Sequence, residues 1–162
     1  WETCGLNILE TLARLDPANI KELVDNLLAA RTNVSAVFIR GAFKQNPDRA
    51  REIIARHAEI EQTGLAFAEF DYQMNHDLAF ASNNNIYVLL MNGFKGMYAR
   101  IGTYYFSHES ARALATQFYQ DLLMLIDQDE PQRVPLLVRQ YGIESGKIWA
   151  QIRDDLPADI AD

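Results

Sequence analysis

Near the end of the chain, in "VRQYGIESGKIWAQIR", Tyr141, Ser145 and Trp149 recur four residues apart. On a helix that spacing puts a phenol, a hydroxyl and an indole on one face. Tyr and Trp each offer an apolar body and one polar handle. Gly142 and Gly146 lie beside the row and take up almost no volume. The pattern fits a groove with hydrogen-bonding walls, or an aromatic stripe facing a core. A second anomaly is Arg31. It falls on the apolar stripe Ile20, Val24, Leu27, Arg31, Val34, Phe38, Ala42, whose steps of three and four are helical. An inward guanidinium stays charged and needs an anion. Its partner is either an internal carboxylate, such as Asp71 or Glu144, or a polar or anionic group of a ligand. Tyr98, Tyr104 and Tyr105 supply more amphipathic surface.

Other chemistries are poorly represented. Neither Glu-x-x-His nor a His pair at i, i+4, the usual metal signatures of helical proteins, occurs. His57 and His108 stand alone, and His76 sits beside Asp77, but adjacent helix residues do not share a face. The three histidines read as surface residues. No nucleophile motif or glycine-rich phosphate loop is present. The single cysteine, Cys4, reads as a small packed or incidental residue, and no disulfide can form within the chain, which fits a reducing cytoplasm.

The elements that must position these residues are all helical. A short helix is expected at Leu6–Leu15. Asp16 and Pro17 then give the N-cap and first position of a long helix, and Asn46-Pro47 repeats the device. "LAFAEFDYQMNHDLAFA" is a helix stopped by "SNNN". A helix over 86–106, apolar nearly all round, is expected at the centre despite Gly93, Gly96 and Gly102, which mark either close packing or room for a ligand. Ser107 is placed to cap "ESARALATQFYQDLLMLID", and after the turn "DQDEPQRVP" a last helix runs from about Leu136 to Asp155. No strand alternation or hairpin signal appears. The expectation is one all-α domain over residues 1–162, an antiparallel bundle of six or seven helices with short connections.

With 162 residues, 49% of them hydrophobic, the chain has enough apolar material for a core of its own. Its net charge of −7 and lack of a clustered basic stripe argue against DNA binding by this chain alone. The most apolar stretch carries Asn92, Lys95 and Arg100, too polar for a membrane span. The opening "WETCGLNILE" lacks an initiator Met, and a fragment of a longer protein is expected.

The stretches "GLNILETLARLD", "LVDNLLAARTNVSAVFIRGAF", "LAFASNNNIY", "NGFKGMYARIGTYYF" and "RQYGIESGKIW" together resemble, over essentially the whole chain, the C-terminal effector-binding domain of the FadR family. That family comprises regulators of fatty acid metabolism within the GntR superfamily. The resemblance implies a helical domain that binds long-chain acyl-CoA. An N-terminal winged helix, absent from this chain, would bind operator DNA as part of a homodimer, acting as repressor of degradation and activator of unsaturated fatty acid synthesis. Acyl-CoA would release the DNA in the cytoplasm. The family's ligand-response positions carry over to Arg31, Tyr105, Gly142, Ser145 and Trp149, and the pocket extends to Leu28, Tyr98, Tyr119 and Tyr141. Related GntR domains hold a metal with one Asp and three His. Here Asp71 remains while the other positions carry Asn75, Tyr119 and Tyr141, so neither metal nor cofactor is expected, and no enzymatic role. Arg31, Ser145 and the tyrosines would fix the thioester and pantetheine end of the ligand. Three readings compete: a metal-dependent GntR domain sensing a small carboxylate, a helical enzyme acting on acyl-CoA, and a ligand-free dimerisation module.

Overall fold

The computed structural model describes residues 11, 14 and 17–157. The expected cap at Asp16 and nearly all of the expected first helix lie outside these residues. All described elements are helical, and six helices account for most of them. They are α1 (Ile20–Gln45), α2 (Pro47–Ala55), α3 (Gly64–Ala81), α4 (Asn85–Gly93), α5 (Glu109–Asp127) and α6 (Val134–Ile152). α1 packs against α3 and α6, α6 against α5, α5 against α2, and α3 against α4. The all-α expectation holds. None of the described helices is long and apolar enough to cross a membrane.

The inward stripe of α1 is where its periodicity puts it. Val24, Leu27, Phe38 and Ala42 are buried, and they meet Phe67, Met74 and Leu78 of α3 and Tyr119 and Leu122 of α5 in one core. α3 begins where Thr63 accepts a hydrogen bond from the Ala66 backbone N–H at 3.2 Å, a side-chain cap for an otherwise orphan donor.

Local expectations differ from the fold in four places. Pro17 opens a 3-10 turn (Pro17–Asn19), and α1 begins only at Ile20. Asn46 precedes α2 without capping it by its side chain. Its Nδ2 instead donates to the Ala81 carbonyl at 2.7 Å, tying the α1–α2 corner to the end of α3. Ser107 caps nothing ahead of it. His108 holds the N-cap position of α5, and Ser107 Oγ donates back to the Tyr104 carbonyl at 2.6 Å. In both cases the side chain finds a carbonyl partner outside the helix it was expected to cap. The last difference is the central helix. α4 ends at Gly93, a turn at Phe94 follows, and then come a helical turn at Lys95–Met97, a π-helical turn at Tyr98–Gly102 and a further turn at Thr103–Phe106. Its first half is not buried all round either, since Ile86 is 58% exposed. An extra residue in a helical turn rotates all that follows, and π turns concentrate at functional sites. Here the turn packs on α3.

His76 is a further correction. It is 8% exposed and so belongs to the interior, not the surface. Its Nε2 lies 2.9 Å from Asn92 Oδ1, and its ring packs against Tyr72 and Phe80. α3 buries residues on nearly every side, so the position next to Asp77 does not imply exposure.

Candidate functional site

Between α1, the segmented 95–106 stretch and α6 lies a cavity of about 260 Å³. Its walls bring together Leu28 and Arg31 from α1, Tyr98 and Tyr105 from the segmented stretch, and Tyr141, Gly142, Ser145 and Trp149 from α6. Eight of the nine residues marked in the sequence therefore share one hollow. Tyr119 does not line it. It is completely buried one layer behind, where its hydroxyl donates to Asp71 Oδ1 at 2.7 Å. A larger depression of about 640 Å³ elsewhere is lined by apolar groups such as Ile53, Phe70 and Met74 and by charged ones such as Arg56, Glu59, Glu69 and Asp77. It gathers none of these residues.

The two glycines of α6 have separate roles. A Cβ on Gly142 would stand 2.6 Å from Thr32 Cγ2, so the absent side chain allows α6 to approach α1 closely. A Cβ on Gly146 would meet nothing within 4 Å, and that glycine leaves space open at the cavity. Across the hollow, Tyr105 Oη and Ser145 Oγ are 2.8 Å apart. The Tyr104 hydroxyl donates to the Ile152 carbonyl at 2.7 Å. The segmented stretch is thus joined to α6 by hydroxyl groups at two levels.

Arg31 has the internal carboxylate partner that one of its two sequence readings required. It lines the cavity, and its Nη1 donates to Asp71 Oδ2 at 3.2 Å and to Tyr98 Oη at 2.5 Å. Glu144, the other carboxylate considered, pairs with Lys147. Arg31 is turned inward, its side chain 13% exposed beside a fully buried Asp71. Asp71 is well supplied with donors. Its Oδ2 accepts the Tyr98 hydroxyl at 2.7 Å besides Arg31, and its Oδ1 accepts Tyr119. Asn75 Nδ2 donates to the Asp71 carbonyl at 2.8 Å. Among the described residues no group of three His, Cys, Asp or Glu is placed to hold a metal ion.

Burial pushes the hydroxyls of Tyr98, Tyr105, Tyr119 and Tyr141 above the ordinary tyrosine value of 10.0, with Asp71 nearby pushing the same way in all four. They remain neutral donors at physiological pH. A raised folded-state pKa gives stability that is fully present below the unfolded value and lost as pH rises through the folded one. Stability should therefore be insensitive to these groups up to about pH 10 and fall above it. In an alkaline titration, the late wave of tyrosinate absorbance should coincide with loss of helical circular dichroism. Complete tyrosine ionisation on an intact helical fold would contradict this.

Sequence reasoning missed the cavity rim. Asp25 of α1 accepts the Trp149 indole N–H at 2.8 Å on Oδ1 and the Arg153 guanidinium on Oδ2. Asp25 and Arg153 both line the cavity. Their partners are 124 and 128 residues apart in sequence, and no local pattern marks such a contact.

The profile of the FadR C-terminal domain matches residues 1–161. Similar chains include the fatty acid metabolism regulator proteins of Shewanella denitrificans, at 56% identity, and Shewanella oneidensis, at 55%, each aligned over 99% of this chain and 67% of the relative. The protein of the same name from Shewanella putrefaciens is 54% identical over 99% of this chain and 68% of its own length. A match across the whole chain, together with relatives above half identity, means that this chain belongs to the FadR C-terminal domain family.

Proposed function

We propose that this chain is the sensing domain of a regulator of fatty acid metabolism and that it binds long-chain acyl-CoA in the cavity beside α6. The observation that carries this reading is the composition of the hollow. Leu28, Met97, Ile101 and Phe106 give it apolar walls, and the Tyr105–Ser145 pair supplies polar groups at its side. About a dozen buried methylenes at roughly 0.8 kcal/mol each give about 10 kcal/mol gross. Ordering of the chain and loss of free motion reduce that heavily. Chain length then sets affinity. The polar groups fix the thioester end, while Arg31, already committed to Asp71 and Tyr98, holds the cavity wall.

The cavity, at about 260 Å³, is just below the roughly 300–1,000 Å³ common for ligand sites, so a long tail must widen it. The simplest route is displacement of α6, which meets α1 through glycine on this face and the segmented stretch through hydroxyl contacts. A ligand shifts an equilibrium only through unequal affinity for the two arrangements. Widening supplies that inequality, and the moved α6 would alter how DNA-binding heads are spaced in a homodimer. This is a binding role, with the residues acting as walls and donors and not as a nucleophile or acid–base pair.

Native mass spectrometry of the chain with a series of acyl-CoAs of increasing chain length tests the reading. One acyl-CoA per chain, with affinity rising with length, is expected. Equal affinity for CoA alone, or no complex at any length, would rule it out.

A further inference from the structure

The carboxylate of Asp25 is held as a bound anion would be. One oxygen accepts the Trp149 indole N–H at 2.8 Å, and the other accepts the Arg153 guanidinium. The indole belongs to α6, the guanidinium to the 3-10 turn that follows it (Arg153–Asp155) and the carboxylate to α1, and all three side chains line the cavity. Asp25 and Arg153 are each 37% exposed, so the pair lies at the rim and can separate without stranding a charge away from water. Of the charged residues lining the cavity, Arg31 is turned inward on Asp71, which leaves Arg153 as the cation at the rim among the described residues. The chain as a whole carries a charge of −7. A ligand bearing phosphates needs that cation.

We propose that the Arg153 guanidinium and the Trp149 indole N–H form an anion subsite for a phosphate of the ligand. Asp25 is a tethered competitor that fills this subsite when the cavity is empty. The inference rests on the acyl-CoA reading and specifies where the anionic end of that ligand is recognised. Arg153 lies eight residues beyond Ser145, on the order of 12 Å along the helix axis, so separate parts of one elongated molecule can engage both. A phosphate takes the guanidinium through strong, charge-assisted bonds. As it does so, Asp25 is released to solvent and a link between α1 and the end of α6 is broken. Occupation of the rim and movement of α6 then become one event.

The test uses the 162-residue chain as wild type, Asp25→Asn and Arg153→Gln. Each is titrated calorimetrically with palmitoyl-CoA and with S-palmitoyl-pantetheine, which has the same thioester and no phosphate. Removing the competing charge should tighten palmitoyl-CoA binding about tenfold in Asp25→Asn, and losing the cation should weaken it about tenfold in Arg153→Gln. Palmitoyl-pantetheine shares only the effect of the broken α1–α6 link, so it should tighten alike in both, by less than about twofold. Asp25→Ser serves if the Asn variant fails to fold. Unchanged or weaker palmitoyl-CoA binding on loss of Asp25 overturns the proposal, as does an equal shift for both ligands, which would make the pair a purely structural tie. A wild-type chain that binds neither ligand removes the parent reading and this one with it.

Discussion

Ser145→Asn is expected to weaken long-chain acyl-CoA binding about 100-fold while leaving the helical fold in place, a change of roughly 2.7 kcal/mol. Ser145 faces the cavity from α6, and its Oγ lies 2.8 Å from the Tyr105 hydroxyl. Asn adds two heavy atoms and a planar amide at that point. The amide keeps a bond to Tyr105 only by projecting into the space a ligand must enter. The hollow has little slack at about 260 Å³, and overpacking such a space costs roughly 1–3 kcal/mol. Ser and Asn have similar helix propensities and the position is half-buried, so folding should change little. Titration calorimetry with palmitoyl-CoA measures the effect directly, and wild-type affinity in this variant would contradict the assignment of Ser145 to the ligand wall.

The sequence carried the helices and the cavity wall more clearly than the rim and the joints. Periodicity alone aligned Arg31 with Val24, Leu27 and Phe38, and all four face inward because one apolar stripe must turn toward the core. The same logic put Tyr141, Ser145 and Trp149 on one wall. Periodicity cannot reveal a partner, however. Asp25 flanks the stripe and looks like a solvent-facing acid, and only packing of α6 on α1 brings Trp149 and Arg153 to it. The π turn at Tyr98–Gly102 was equally hidden, since an apolar run looks the same with or without one extra residue in a turn. Asn46 and Ser107 are polar groups with more than one partner within reach, and distant carbonyls or a preceding helix won over the local cap. Tyr119 is apolar enough for any wall, and the pull of the Asp71 carboxylate decides that it stands behind the cavity.

Arg31→Ala separates the structural and ligand-binding roles of the guanidinium, but only together with a second change. By itself it removes the cation from a buried pair, and breaking such pairs costs about 3–5 kcal/mol because the partner charge is stranded. The hydroxyls of Tyr98 and Tyr119 still donate to Asp71, so the loss should be near the lower figure. For a chain of this size about 3 kcal/mol corresponds to a fall in Tm of roughly 6–12 °C. Adding Asp71→Asn removes the stranded charge, and the double variant should regain about half of the lost stability in thermal melts followed by circular dichroism. Affinity for palmitoyl-CoA should not follow. Tyr98 has lost a donor and the wall a long side chain at the cavity, so the double variant should still bind at least about tenfold more weakly than wild type. If affinity returns in step with Tm, Arg31 acts on the ligand only by keeping α1 and α3 together, and its side chain is no part of the ligand wall.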